Sequence, residues 1–422
     1  MAAIIAAGVQ GAVAGRALYA DGSYYLWGIL QAQGFFIFDP ARAFAQFVTQ
    51  IPIVLGMAVG IDHVPTLVIL LGLGVSTLPF LLWALALFIA RTSVVFWPLV
   101  VIFAAAYLNS AFVSIGEYTL AYALVAVSFA VISRDEFTAI HAVVLLSSAI
   151  ILVRCYEAMA YLGPVLVVLC FVTLGRVHNG TSTRRFRSTI MWVAIAIFLL
   201  STVLAVGAVI GARDPANRSG AADLLGPLAL NDQLVISAIV ALLFLLVAYF
   251  SSGIVRSTAL GLLFAVTSLM LLPTIWAQPW LHYASRTITG LMMAGLIVVT
   301  VVATHLNSKR RVGLSAAHWL VPLALLFAQL VPFTSHTAGY SWWLSQFQTV
   351  LFSGSGNVQM EQTVLAQRSF DYVWPWTNPF LSVLLRPGGS ETVVLSPGEV
   401  SDPTPDAPAE LPTRFTTGPL YF

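Results

Sequence analysis

Four short stretches carry residues able to do chemistry together: "DGSYY" (Asp21–Tyr25), "NSAFVSIGEYT" (Asn109–Thr119), "RCYE" (Arg154–Glu157) and "WLHYASR" (Trp280–Arg286). Asp21 follows an apolar run of about one membrane thickness, where a carboxylate costs desolvation unless it meets water, a cation or a cavity. Such an acid is suited to take a proton from a hydroxyl. Arg154 and Arg286 are suited to grip a phosphate through two parallel N–H bonds, with Tyr156 beside them. Glu117 and Glu157 could bind ligand hydroxyls, orient Arg154 or help hold a divalent ion, although the sequence names no cofactor. Plainer roles compete: Arg154 and Glu157, three apart on a continuing helix, could pair with each other. Tyr24, Tyr25, Trp27, Tyr107, Trp276 and Trp280 suit a membrane-interface belt. His63 and His282 have no second ligand at metal spacing, so His282 counts here only as a binding residue.

The elements that must position these groups are membrane helices. Over 422 residues the chain is 59% hydrophobic and 9% charged, with a mean hydropathy of +0.91. Soluble domains carry about 25% charged residues. A net charge of +2 and a single lysine, Lys309, exclude nucleic-acid binding. Cys155 and Cys170 lie too far apart along one helix for a disulfide. Apolar stretches predict an all-α integral membrane protein of about eleven spans: 2–20, 64–90, 94–110, 116–133, 136–153, 158–175, 190–211, 234–250, 257–275, 287–305 and 316–333. The first of these lacks a basic flank and a cleavage site, so it reads as a retained helix.

One segment, Asp39–Gly60, is apolar but carries Arg42, Gln46, Thr49, Gln50 and Pro52. Asp39 and Pro40 form a helix start, and Phe44, Phe47, Val48, Ile51 and Leu55 recur at helical spacing. It reads as an amphipathic helix lying in the interface of the first outer loop. With a cytoplasmic N-terminus, ten of the nineteen basic residues then fall in cytoplasmic loops, including "TSTRRFRS" and "NSKRRVG". The acids before the tail, Asp135 and Glu136 excepted, gather at the outer face, where a polar chamber would account for them. The membrane domain is expected over 1–333. Residues 334–395 are expected to form an outward interfacial aromatic segment, with "WPW" packing on the bundle or stacking on sugars. Residues 396–422, rich in proline and acid, are expected to be a flexible outer tail.

This layout resembles the GT-C superfamily of polyprenyl-phosphate-sugar-dependent glycosyltransferases. The resemblance rests on the acid after the first span, the long first outer loop with its amphipathic helix, polar outer helix ends and an outward C-terminal segment. It covers about 333 residues as topology and "DGSYYL" as local sequence. It implies that Asp21 activates the acceptor hydroxyl, and that the donor is a polyprenyl-phosphate sugar held beside membrane lipid. It also implies a cell-envelope location, a bacterial inner (plasma) membrane. Family members often carry a second acid beside the first; here Gly22 stands there.

Other classes fit less of the pattern. A secondary transporter would place charge near mid-membrane and show two corresponding halves, whereas no internal repeat is evident. An O-antigen-type polymerase or ligase would bring a large late outer loop; the longest after the first is about 213–233. A non-catalytic scaffold or assembly subunit is the remaining alternative, and protein partners are not legible. All these readings expect Asp21, Glu117, Arg154, Glu157 and Arg286 to be judged by whether they face one cavity.

Overall fold

The computed structural model describes residues 1–93, 95–113, 116–176, 182–211, 279–306, 317–368, 374–388, 390–395 and 410–420, with 239, 243 and 372. The expected spans 234–250 and 257–275, Trp276 and the proline-rich stretch 396–409 lie outside them. The architecture is mostly helical, as an all-α membrane protein requires, with one small exception. Strands β1 (Asn357–Gln359) and β2 (Val393–Leu395) pair in parallel. Three helices among the described residues are long and apolar enough to cross a membrane: Pro40–Ala58, Val64–Ala90 and Arg185–Ile210.

The first expected span is not one helix. α1 (Ala2–Val13) stops where Gly15 turns left-handed at φ 70°, and a single turn, Arg16–Leu18, leads to α2 (Gly22–Ala32). Hydropathy is blind to this break, because every residue through the turn except Arg16 is small or apolar.

α3 (Ala43–Ala58) starts as its sequence dictates, with Asp39 Oδ1 accepting from Ala41 N at 2.8 Å ahead of Pro40. Its faces are reversed relative to a soluble amphipathic helix. Gln46, Thr49 and Gln50 are buried, while Phe44, Phe47 and Leu55 are exposed. The buried amides find partners: Gln50 clamps the preceding loop, accepting from Phe36 N at 2.8 Å and donating to Phe36 O at 2.9 Å. An apolar outside over a hydrogen-bonded polar inside is the arrangement for a helix in contact with hydrocarbon.

α4 (Val64–Ala90) runs through a π-turn at Leu73–Thr77. α5 runs from 96 to 110 with a second π-turn, Phe103–Tyr107. α6 (Glu117–Ile132), buried along its whole length, lies beside α4. α7 (Ala139–Leu152) and α8 (Met159–Arg176) pack on α6, and α9 (Ser182–Gly211) packs on α7 and α8. α10 (Pro279–Leu306) closes against α5, α6 and α8. Basic loops meet at one end of this bundle. Arg134 donates to Ile89 O at 2.7 Å, and Arg187 to Arg134 O at 2.7 Å and Asp135 O at 3.0 Å. Glu117 and Glu157 begin or precede helices at the opposite end.

α11 (Ala317–Ser353) carries straight through the expected boundary at 333, so the aromatic segment begins as membrane-bundle helix. Its stripe Trp343, Leu344, Phe347 and Leu351 is buried in the core, and Trp342 is exposed. α12 (Asn378–Leu385) then packs on α2. Tyr24 of α2, expected as a belt anchor, is surrounded by Trp27, Phe36, Phe38, Trp376 and Phe380 at ring distances of 5.1–6.2 Å. Tyr107 is wholly buried and donates to Thr119 O. Trp374 meets Tyr19 edge-on, so these aromatics pack against the protein.

The end of the chain is a strap where a flexible tail was expected. Glu410 O accepts from Gln31 at 2.7 Å, and its carboxylate pairs with Arg386 at 3.1 Å. Thr416 exchanges hydrogen bonds with Val64 N (2.9 Å) and Asp62 O (3.0 Å). Gln348 donates to Gly418 O at 2.9 Å and accepts from Leu420 N at 3.1 Å, and Phe415 is buried. Proline and acid content conceals this, because most of the strap's hydrogen bonds are made by its main-chain groups, which composition does not count. Truncation after Ala409 is expected to lower the melting temperature by about 5–10 °C, as the loss of several net hydrogen bonds and one aromatic would. An unchanged melting temperature in a scanning-fluorimetry measurement would contradict the strap.

Candidate functional site

Asp21 sits at the N-cap of α2, held by an unusual turn. Ala20 before it adopts φ 53°, a left-handed conformation that a residue with a Cβ rarely takes. Strain of this kind, about 1–3 kcal/mol, persists where the surrounding structure over-determines it and clusters at functional sites. Gly22 after it leaves no room for a side chain, since a Cβ there would lie 1.9 Å from Ala17 O. A side chain beside Asp21 at this position would therefore force the turn to shift. Asp21 is half-buried, and desolvation raises its carboxyl to about 6, opposed by Arg42 and Arg286.

Arg42, at the end of the turn before α3, is the hub. Its Nε lies 2.8 Å from Glu157 Oε1 and 3.2 Å from Asp39 Oδ2; its Nη1 lies 3.9 Å from Glu117 Oε2. The guanidinium also stands over the Tyr156 ring at 5.7 Å. Glu117, 1% exposed, is fixed by neutral donors: its Oε1 accepts from Tyr25 at 3.1 Å and from Gln46 at 3.2 Å. Tyr156 is buried against Tyr118 and Tyr122, and Tyr122 donates to Arg286 O at 2.7 Å. Three helix beginnings, the loop before α8 and the middle of the first turns of α10 thus converge on one polar centre.

The placement of the expected site residues is mixed. Asp21, Glu117, Tyr156, Glu157 and Arg286 come together. Arg154 does not: its side chain is exposed, and only its main-chain carbonyl takes part, accepting from Phe44 N at 2.9 Å. The expectation of a continuing helix fails here because α7 ends at Leu152 and α8 starts at Met159. Residues 154 and 157 therefore do not share a helical face, and Glu157 pairs with Arg42. His282 belongs to the first turn of α10, and its side chain lies outside the described residues. His63 bonds Thr66 Oγ1 at 3.1 Å, the local role of a helix-start residue. Both cysteines are free and buried. Among the described residues no group of three His, Cys, Asp or Glu is placed to hold a metal.

Tyr25, Arg42 and Gln46 were not among the expected site residues. The signal for two of them was present: Arg42, Gln46 and Gln50 recur every four residues, a polar stripe along α3. Read as a reason against spanning, it is instead the face that meets the site.

Chemically, the centre offers a half-buried carboxylate with raised basicity, two guanidinium groups acting on it, and a buried carboxylate held in fixed orientation. That set can take a proton from a hydroxyl, stabilise a leaving anion and orient a polyhydroxylated ligand. Compared with family models, with curated proteins and with solved structures, the chain matches none.

Proposed function

We propose that the protein transfers a glycosyl group at the outer face of a membrane from a polyprenyl-phosphate-linked sugar to an acceptor hydroxyl. The observation that carries this reading is the convergence of Asp21 with Arg42, Glu117, Glu157 and Arg286 at the end of the bundle opposite its basic loops. Asp21 accepts the acceptor's proton as that oxygen bonds to the anomeric carbon. The bond from that carbon to the phosphate oxygen breaks with its electron pair, and the charge is taken up by guanidinium, with Arg286 on the bundle side. Glu117, itself buried, holds Tyr25 and Gln46 in place. Apolar surfaces of α3 and neighbouring helices face the lipid that delivers the donor.

With Pro40–Ala58 taken to lie in the interface and eleven spans elsewhere, the positive-inside rule orients the N-terminus to the cytoplasm and the C-terminal strap outward, in what we take to be a bacterial inner membrane. The test is incorporation of radiolabelled sugar from defined polyprenyl-phosphate sugars by the protein in liposomes, with acceptor fractions supplied. Arg154→Ala is expected to keep the wild-type rate within about twofold, since its exposed side chain lies apart from the centre. A loss above tenfold would return Arg154 to the site.

A scaffold reading is favoured by one observation: Arg42, Asp39 and Glu157 satisfy one another, as a structural brace would. On that reading the liposome assay shows no transfer with any donor, and Arg42 variants fail only in folding.

A further inference from the structure

The hydrogen bonds of Arg42 are unevenly spent. Its Nε is committed to Glu157 and Asp39, at 2.8 Å and 3.2 Å, while Nη1 approaches only Glu117 Oε2, at 3.9 Å, beyond hydrogen-bond distance. Nη1 and Nη2 carry four N–H groups between them, the pair that grips an anion in the two-point geometry a lysine cannot reproduce. The side chain is 20% exposed. The Tyr156 ring lies against the guanidinium at 5.7 Å and limits its swing. Tyr25 and Gln46 hold the other oxygen of Glu117.

We propose that Arg42 is the phosphoryl receptor of the site: Glu157 and Asp39 anchor it through Nε, leaving Nη1 and Nη2 to bind a lipid-linked phosphate bidentately. Glu157 and Asp39 are positioning residues, fixing the direction of the fork and touching no ligand. Their side chains are 17% and 29% exposed, so water weakens their hold on the cation without removing it. Arg42 ends the turn that precedes α3, whose exposed Phe44 and Phe47 continue from it along the lipid-facing side. A phosphate on an apolar chain would meet the fork with its hydrocarbon against that face. This is why a lipid phosphate suits the site better than a free one.

The inference rests on the reading of a lipid-phosphate donor, but it is measured without turnover, so the two can fail separately. The full-length protein in nanodiscs is titrated with polyprenyl monophosphate, with the matching polyprenol and with inorganic phosphate. Wild type is expected to bind the monophosphate and not the polyprenol. Arg42→Gln is expected to weaken binding at least tenfold. Arg42→Lys, which keeps the charge and the fold-stabilising ion pair, is expected to weaken it nearly as much, because a point charge replaces a fork. Glu157→Gln is expected to weaken it about three- to tenfold, with Arg42 retained but less well directed.

Wild-type affinity in Arg42→Lys, folded by its melting temperature, overturns the proposal even if Arg42→Gln does not fold. Binding of inorganic phosphate as tight as that of the lipid, lost in Arg42→Lys, overturns the lipid-linked assignment and leaves a free-phosphate site. Retained, Arg42-dependent lipid binding in a protein that transfers no sugar sustains this inference while the glycosyltransferase reading fails.

Discussion

Asp21→Asn is expected to lower glycosyl transfer by about 10²–10⁴-fold, the usual contribution of a positioned general base. Asparagine keeps the shape and the N-cap position but cannot take a proton. The substitution is not expected to weaken the fold. Asp21's carboxyl is raised from 3.8 to about 6 by burial, so between those values the native state binds more proton than the unfolded one. Stability from this group is therefore present at low pH and lost as pH rises through about 6. At pH 7 the ionised carboxylate is a cost that asparagine removes, and Asp21→Asn is expected to melt at or slightly above the wild-type temperature. Activity lost with stability kept is the signature of a working residue. Activity and melting temperature measured on the same preparation check both halves, and a variant that transfers at the wild-type rate removes Asp21 from the chemistry.

Gly22→Asp is expected to lose stability together with activity. It installs the paired acid common among GT-C enzymes, and on motif reasoning alone it would be harmless or helpful. The structure says otherwise, because even a Cβ at residue 22 would lie 1.9 Å from Ala17 O, a main-chain atom that cannot swing aside. Either the Arg16–Leu18 turn or the start of α2 must shift, and Asp21 lies between them. The expected result is a melting temperature lowered by several degrees and transfer reduced at least a hundredfold, with Gly22→Ala intermediate. A Gly22→Asp protein with wild-type stability and activity would show that this turn is not rigid and that Asp21 is not held by it.

These two residues also show how far the sequence can be read. Helices 64–90, 117–132, 139–152 and 159–176 follow their apolar runs closely, because in hydrocarbon a continuous hydrogen-bonded helix is what an apolar run can form. Asp21 and Glu117 stood out for the matching reason, as carboxylates at helix edges that must be explained. The breaks were not legible: the turn at Gly15 is hidden in small apolar residues, and α11 runs through Pro332 into the aromatic segment, where Tyr340, Trp343 and Phe347 pack inward.

Pairing was less legible than placement. Arg154 and Glu157 are neighbours in sequence, and Arg42 lies 115 positions from Glu157, yet the ion pair forms across the fold. Local spacing decides partners only on a helix, and residues 153–158 are not one. The polar stripe Arg42, Gln46 and Gln50 was visible, but its direction was not, because periodicity defines a face without saying whether it meets water or a buried carboxylate. The strap at 410–420 was invisible for a different reason: main-chain hydrogen bonds leave no mark in composition.

The most direct measurement is the rate of sugar transfer from a polyprenyl-phosphate donor by the wild-type protein in liposomes between pH 5 and pH 8. If Asp21 is the base, only its ionised form works, so the rate holds above about pH 6 and falls about tenfold per unit below it, and Asp21→Asn abolishes that limb. A protein that transfers sugar with a flat profile through pH 6, unchanged by Asp21→Asn, would contradict the assignment of Asp21. One that transfers no sugar from any polyprenyl-phosphate donor at any pH would contradict glycosyl transfer itself.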